Sequence, residues 1–334
     1  MDIQQNISLK PYNTFGIDVP AEYFLELQDI NALAEITAMP QEKRILGGGS
    51  NILLTGPVKG LVIHNKVKGI TIEKEDKENV WLSVQAGEIW HDLVLYAINN
   101  GWGGIENLAL IPGTVGASPM QNIGAYGVEA RETIEAVTFW YWKEKALLTY
   151  NNRECHFGYR DSIFKHQLKD KAFITSVVYK LKKQPEYNIS YGAVAQELEQ
   201  MGIKELSVKA IAYAVIHIRT SKLPDPKMIG NAGSFFKNPT IPISQFEQLH
   251  AKHPTIPSYK VSDTLVKIPA GWLIEQSGWK GYRAEDTGVH VKQALVLVNY
   301  GKASGNEIWK LSGEIVSSVK ERFGIELERE VQLW

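Results

Sequence analysis

Residues 111–127 read Ile-Pro-Gly-Thr-Val-Gly-Ala-Ser-Pro-Met-Gln-Asn-Ile-Gly-Ala-Tyr-Gly. Four glycines and two prolines break the run so densely that neither helix nor strand is expected in it. It is also too long for a tight turn. An irregular segment of this length inside a compact domain is usually a working loop. Glycine lets the backbone approach a ligand closely, and successive N–H groups can cradle phosphates. Gly47-Gly48-Gly49-Ser50-Asn51 has the same character, although alone it also fits a glycine-rich hairpin connection. The two runs together point to a bound cofactor that carries phosphate. Gln121 and Asn122 add amides that can donate and accept along the edge of a heterocycle, and a flavin dinucleotide suits both features.

Outward from the loop, periodicity gives the elements. Trp90, Leu93, Val94, Ala97 and Ile98 recur at helical spacing, with Gly101 placed to end the helix. Short strands are expected at Arg44–Leu46, Ile52–Leu54, Leu61–His64 and Val80–Ala86, then at Ala136–Trp142 and Ala172–Leu181. Lys182-Lys183-Gln184-Pro185 reads as a boundary. Beyond it, Val208, Ile211, Ala212, Val215 and Ile216 form an apolar stripe with Ser207 as its N-cap. A buried strand is expected at Ala294–Val298. A last helix buries Ile308, Leu311, Ile315 and Val319 and stops at Gly324. A final strand sets Ile325, Leu327, Val331 and Leu333 against Glu326, Glu328, Glu330 and Gln332 on the opposite face. Strands and helices do not alternate strictly, so the fold class is α+β.

Composition removes several classes. The chain has 334 residues, 44% hydrophobic and 22% charged, which suits two or three globular domains. Its net charge of -1 gives no bulk attraction to nucleic acid or to an anionic membrane. No apolar run reaches the length of a membrane span. Cys155 is the only cysteine, so no internal disulfide can form, and the absence of a signal-like start adds to an expected cytoplasmic location. The fingerprints G-x-G-x-x-G and G-x-x-x-x-G-K-S/T are missing. The eight histidines form no metal signature, and His250 with His253 reads as a helical surface pair.

Six stretches give the chain a family likeness. They are Asn13–Ile17, Gly48–Asn51, Glu106–Gly113, Gln121–Gly127, Phe157–Ser162 and Gly233–Pro239. In these it resembles the UDP-N-acetylenolpyruvoylglucosamine reductases, also called UDP-N-acetylmuramate dehydrogenases, over nearly its whole length. Tyr191, in Ile189-Ser190-Tyr191-Gly192, is similar to a mobile tyrosine of the longer subgroup.

The resemblance implies an FAD-binding domain of the vanillyl-alcohol-oxidase (PCMH) type over residues 1–183, in subdomains of roughly 1–68 and 69–183. A C-terminal α+β substrate-binding domain over 184–334 would follow, its last strand returning toward the active site. It further implies a monomeric enzyme of peptidoglycan-precursor synthesis in which NADPH reduces non-covalent FAD. Flavin N5 then passes hydride to the vinyl carbon of UDP-N-acetylglucosamine enolpyruvate.

That reaction places negative charge beside a carboxylate and needs a proton at carbon. The resemblance assigns Arg160 to the carboxylate, since a guanidinium stays charged and can grip it with two bonds. It assigns Glu330 to polarising the same group and Ser234 to proton donation, in a setting expected to be a tight apolar pocket. Tyr191, Arg219, Lys222, Asn238 and Gln293 are implied as substrate contacts, and no metal is implied. The cofactor contacts fall on Gly47, Gly48, Gly49, Ser50, Asn51, Pro112, Gly113, Thr114, Gly116, Ala117, Gln121, Asn122, Gly124, Ala125 and Tyr126.

Overall fold

The computed structural model describes residues 1–334, which divide into two compact units. The first comprises residues 1–7, 21–48 and 59–221; the second comprises 8–20, 49–58 and 222–334. No helix is long and apolar enough to cross a membrane.

The first unit is built on a five-stranded antiparallel sheet. Its order is Ala146–Asn151, Ile134–Tyr141, Ala172–Lys182, Asn79–Gln85 and Ile70–Glu75. The central strand is apolar on both faces (Phe173, Ile174, Val177, Val178, Tyr179, Leu181), so it is buried on both. Helix Trp90–Asn99 forms where the stripe places it, and all five stripe residues are buried. Trp90 meets Tyr179 edge to face at 5.7 Å and donates its indole N–H to the Leu108 carbonyl at 2.9 Å. Truncating such a residue to alanine costs about 3–5 kcal/mol. A smaller sheet, ordered Gln4–Ser8, Pro20–Leu27, Val58–Asn65 and Lys43–Leu46, ends in a parallel pair.

Helices Gly192–Gln200 and Val208–Lys222 contribute Val194, Leu198, Val208, Ile211, Ala212, Val215 and Ile218 to the same core as the large sheet. The unit boundary therefore falls after Ser221, not at Lys182–Pro185, because the apolar faces of both helices are spent on the first unit. Ser207 caps the second helix as expected, its Oγ accepting from the Ala210 N–H at 3.1 Å.

In the second unit, Gly230–Ser234 pairs with Val296–Asn299, which pairs with Thr287–Val289. Helix Gly305–Phe323 opens with a reciprocal Ser304/Glu307 capping box and closes at left-handed Gly324 (φ 67°). The final strand is shorter than expected. Only Gln332–Leu333 is regular, running parallel to Ile52–Leu53, and Arg329 makes an isolated bridge to Phe236. Ile325, Leu327 and Val331 are buried as the alternation requires, while Leu333 is exposed. The alternation is real, but residues 325–328 have too few ladder partners to be strand.

Candidate active site

Within the first unit, Gly47 and Gly48 sit close to the second glycine loop. A Cβ on Gly48 would lie 2.8 Å from Gly113 Cα, and one on Gly47 would lie 2.6 Å from Thr114 Oγ1. Main chain meets main chain at a distance that no side chain permits. The N–H groups of Gly48, Gly113 and Thr114 donate to no protein acceptor. Unclaimed amides on glycine-lined backbone fit a phosphate-bearing group such as FAD, so the residues present are suited to that cofactor.

The rest of 111–127 is more ordered than its composition suggests. Val115–Ala117 is a 3-10 turn, and the N–H groups of Val115 and Gly116 are spent on Glu88 and Ala86 at 2.8 and 2.9 Å. Gly124–Ala125 pairs with Val128–Glu129. Tyr126 (φ 48°) and Gly127 (φ 81°) fill the two-residue connection, left-handed at both positions as a type I′ hairpin requires. The expectation that no strand could form here fails because a tight hairpin needs only two ladder residues on each side.

Asn122 corrects another expectation. It is fully buried, and its amide is consumed inside the protein. Its Nδ2 donates to the Gly158 carbonyl at 2.9 Å and to Glu129 Oε2 at 3.1 Å, while its Oδ1 accepts from the Arg131 N–H at 3.0 Å. Its side chain is a clamp between loops, not an edge for a heterocycle. Gln121 is half-buried beside it, and Pro112 and Ala117 are exposed.

Asn122 anchors the turn that presents Arg160. The N–H of Gly158 donates to the Asp161 carbonyl at 3.0 Å, closing a hairpin with Arg160 left-handed at φ 53°. The guanidinium donates to the carbonyls of Gly124 (2.7 Å) and Asn122 (3.5 Å). Ser162 Oγ ties the same turn to the Met120 carbonyl at 2.6 Å. Arg219 Nε donates to the Leu110 carbonyl at 3.2 Å, and its side chain hydrogen-bonds to Tyr126. Burial lowers the Arg219 pKa; Tyr126 opposes that shift, and the nearby Arg160 charge adds to it. Arg219, Tyr126 and Arg160 therefore share one electrostatic neighbourhood. Tyr191, exposed at the start of helix Gly192–Gln200, stacks edge to face on Tyr126 at 5.3 Å.

Sequence reasoning passed over Asn107. It is buried, and its Nδ2 donates to the carbonyls of Tyr126 (3.1 Å) and Asn188 (2.9 Å). Asn188 Nδ2 in turn donates to the Gly127 carbonyl at 3.2 Å, so the Tyr126 hairpin and the segment leading to Tyr191 are braced twice. The signal was present, because Asn107 lies inside the Glu106–Gly113 motif.

In the second unit, Ser234 and Glu330 sit on neighbouring segments. The Glu330 N–H donates to the Phe235 carbonyl at 2.8 Å, and the Lys237 N–H donates to the Glu328 carbonyl at 2.9 Å. Asn51 joins them, its Nδ2 donating to the Glu330 carbonyl at 3.3 Å and its carbonyl accepting from the Gln332 N–H at 3.0 Å. Arg329 is fixed by stacking over Trp309 at 4.1 Å and by donating to Ser312 Oγ at 2.8 Å. Ser234 is exposed, not enclosed in an apolar pocket. Phe235 packs into the core against Phe15 with Phe236 buried beside it, while the serine before them stays exposed. Asn238 Oδ1 accepts from the Ala270 N–H at 2.9 Å, Gln293 Oε1 accepts from the Leu295 N–H at 3.3 Å, and Lys222 is exposed at its helix end.

The model of the FAD binding domain matches residues 22–147, a span that contains both glycine loops. The model of the UDP-N-acetylenolpyruvoylglucosamine reductase C-terminal domain matches residues 225–334. A protein of that reductase name from Flavobacterium johnsoniae is 52% identical over 100% of both chains. One from Amoebophilus asiaticus is 48% identical over 100% of this chain and 99% of its own. The crystal structure of UDP-N-acetylenolpyruvylglucosamine reductase from Thermus caldophilus is similar with a TM-score of 0.71 at 26% identity, covering 100% of this chain and 99% of that one. The expected α+β fold with an FAD-binding domain is borne out.

Proposed function

The chain belongs to the UDP-N-acetylenolpyruvoylglucosamine reductase family, an FAD-dependent oxidoreductase acting on a CH–CH bond in peptidoglycan-precursor synthesis, and from that premise we propose its residue roles. The substrate is UDP-N-acetylglucosamine enolpyruvate, the product UDP-N-acetylmuramate and the electron donor NADPH. When bound, FAD would supply the hydride-transfer chemistry between NADPH and the terminal vinyl carbon of the substrate. Gly48, Gly113 and Thr114 would hold its phosphates through their main-chain N–H groups.

Arg160 stabilises the charge that develops beside the substrate carboxylate, with Glu330 polarising the same group. Ser234 gives the proton to the neighbouring carbon. Arg219, Lys222 and Tyr191 bind the diphosphate. Asn238 and Gln293 offer amide donors, since their oxygens are already engaged by main-chain N–H groups.

The observation that carries this reading is the Glu330-to-Phe235 hydrogen bond at 2.8 Å. It fixes the register between the segment of the proposed acid and that of the proposed carboxyl within one unit. The exposure of Ser234 supports the role, since a proton donor must reach its acceptor.

Stopped-flow absorbance of bound flavin separates the two half-reactions. Ser234→Ala should leave bleaching by NADPH intact and slow reoxidation by the enolpyruvyl substrate about 10²–10⁴-fold, the scale of a lost positioned acid. Equal slowing of both phases removes the role of Ser234. A purified protein that takes up no FAD removes the whole scheme.

A further inference from the structure

His91 lies on helix Trp90–Asn99, next to the Trp90 that anchors its buried face. Its Nδ1 accepts the main-chain N–H of Leu110 at 3.0 Å. An N–H can donate only to an unprotonated nitrogen, so this bond fixes the neutral ring with its proton on Nε2. Leu110 is left-handed at φ 58°, a conformation that L side chains disfavour. On the other side of the same residue, the Leu110 carbonyl accepts from Arg219 Nε at 3.2 Å. His91 and Arg219 thus grip one strained residue from opposite ends. That residue leads directly into the Ile111–Gly113 loop.

We propose that His91 is a positioning residue: as a neutral acceptor it holds Leu110 in its left-handed conformation, and Leu110 holds Arg219 by Nε so that the outer guanidinium nitrogens present a fixed face to the substrate diphosphate. This rests on the assignment of Arg219 to that anion. Protonation of His91 turns the acceptor into a donor facing a donor. Leu110 then loses its restraint, and Arg219 loses its anchor.

Two charged groups act on the ring, Asp92 on its own helix and Arg219 from helix Val208–Lys222. Burial, with Arg219 adding to it and Asp92 opposing, holds the imidazole below the ordinary histidine range. The positioning is therefore complete near neutrality and is lost only as pH falls through that lowered value.

Protein labelled with ¹⁵N-histidine and loaded with FAD gives the direct test. The His91 signal, assigned by its disappearance in His91→Asn, should show the Nε2–H tautomer at neutral pH and titrate below the free imidazole. An Nδ1–H tautomer, or a pKa at or above the free value, overturns the proposal.

Steady-state kinetics give the functional test. On acidification the KM for UDP-N-acetylglucosamine enolpyruvate should rise about tenfold, the scale of one lost charge-assisted bond, while flavin bleaching by NADPH stays constant. His91→Asn keeps an acceptor at the Nδ1 position but cannot titrate. It should hold the neutral-pH KM and abolish the acid rise, and His91→Leu should raise KM at every pH. An unchanged acid limb in His91→Asn, with Arg219→Gln raising KM, removes the role of His91 alone. An unchanged KM in Arg219→Gln removes the assignment of Arg219 itself.

Discussion

The two units hold their functional side chains by opposite means. In the first, polar groups are aimed by main chain bent into left-handed conformations at Leu110, Asn122, Tyr126 and Arg160. In the second, Ser234 and Glu330 sit on neighbouring segments joined by main-chain hydrogen bonds and one isolated bridge. Of the nine non-glycine residues with positive φ, only Glu285 belongs to the second unit. Left-handed backbone costs about 1–2 kcal/mol for each such residue, so it persists only where the surroundings over-determine it. Asn122 supplies that over-determination through its three side-chain hydrogen bonds. Strain buys direction for a guanidinium, while main-chain bonding fixes register and leaves Ser234 exposed.

The sharpest way to break this contrast is Arg160→Gly. Glycine occupies φ 53° without penalty, so relief of strain should nearly offset the lost guanidinium bonds, and stability should stay within about 1 kcal/mol. Substrate reduction should fall about 10²–10³-fold, the loss expected for one electrostatic stabiliser, while flavin content is kept. Urea unfolding and the reoxidation phase read the two effects separately. A large loss of stability with activity preserved would make Arg160 a structural residue.

Asn122→Ala should do the reverse. It leaves the Gly158 carbonyl and the Arg131 N–H without their partner in a part-buried site, so unfolding should become easier by about 1–3 kcal/mol. A midpoint within experimental error of the parent protein would show that the left-handed loops hold themselves.

How much of this could be read from the chain depends on what each element obeys. Helix Trp90–Asn99 and helix Gly305–Phe323 follow local periodicity and caps, and both form where the stripes place them. The glycine loops were legible as close-approach segments, and Gly48 against Gly113 is such an approach. The unit boundary was not legible, because helix Val208–Lys222 has the stripe of any amphipathic helix and nothing in it says which core it covers. Asn122 shows the other limit. Composition identifies an amide able to donate and accept, but only the fold reveals that three protein partners already claim it. The aromatic neighbours of Ser234 suggest enclosure, but both phenylalanines are buried in the core and the serine stays exposed.

The residue before Ser234 is left-handed, and it is a glycine. Gly233 has φ 68°, and a Cβ there would meet nothing within 4 Å. Gly233→Ala therefore isolates the cost of conformation from the cost of crowding, and thermal or urea unfolding should register about 1 kcal/mol of destabilisation. A neutral result would mean that the irregularity between Asn231 and Ser234 relaxes without strain.

The smallest effect is expected at the Lys237–Glu328 ion pair, which spans the same two segments at 2.5 Å. Glu328 is 69% exposed, so water and salt screen the attraction, and such pairs contribute about 0–1 kcal/mol. The Lys237 N–H to Glu328 carbonyl bond at 2.9 Å uses main-chain atoms that survive Glu328→Ala. If main-chain bonding sets the register of Ser234 against Glu330, this variant should lose less than about 1 kcal/mol and keep both flavin half-reactions at parental rates. A slowed reoxidation phase would mean that a surface charge pair, not main-chain bonding, aligns the second unit's site, and the contrast between the two units would then be wrong.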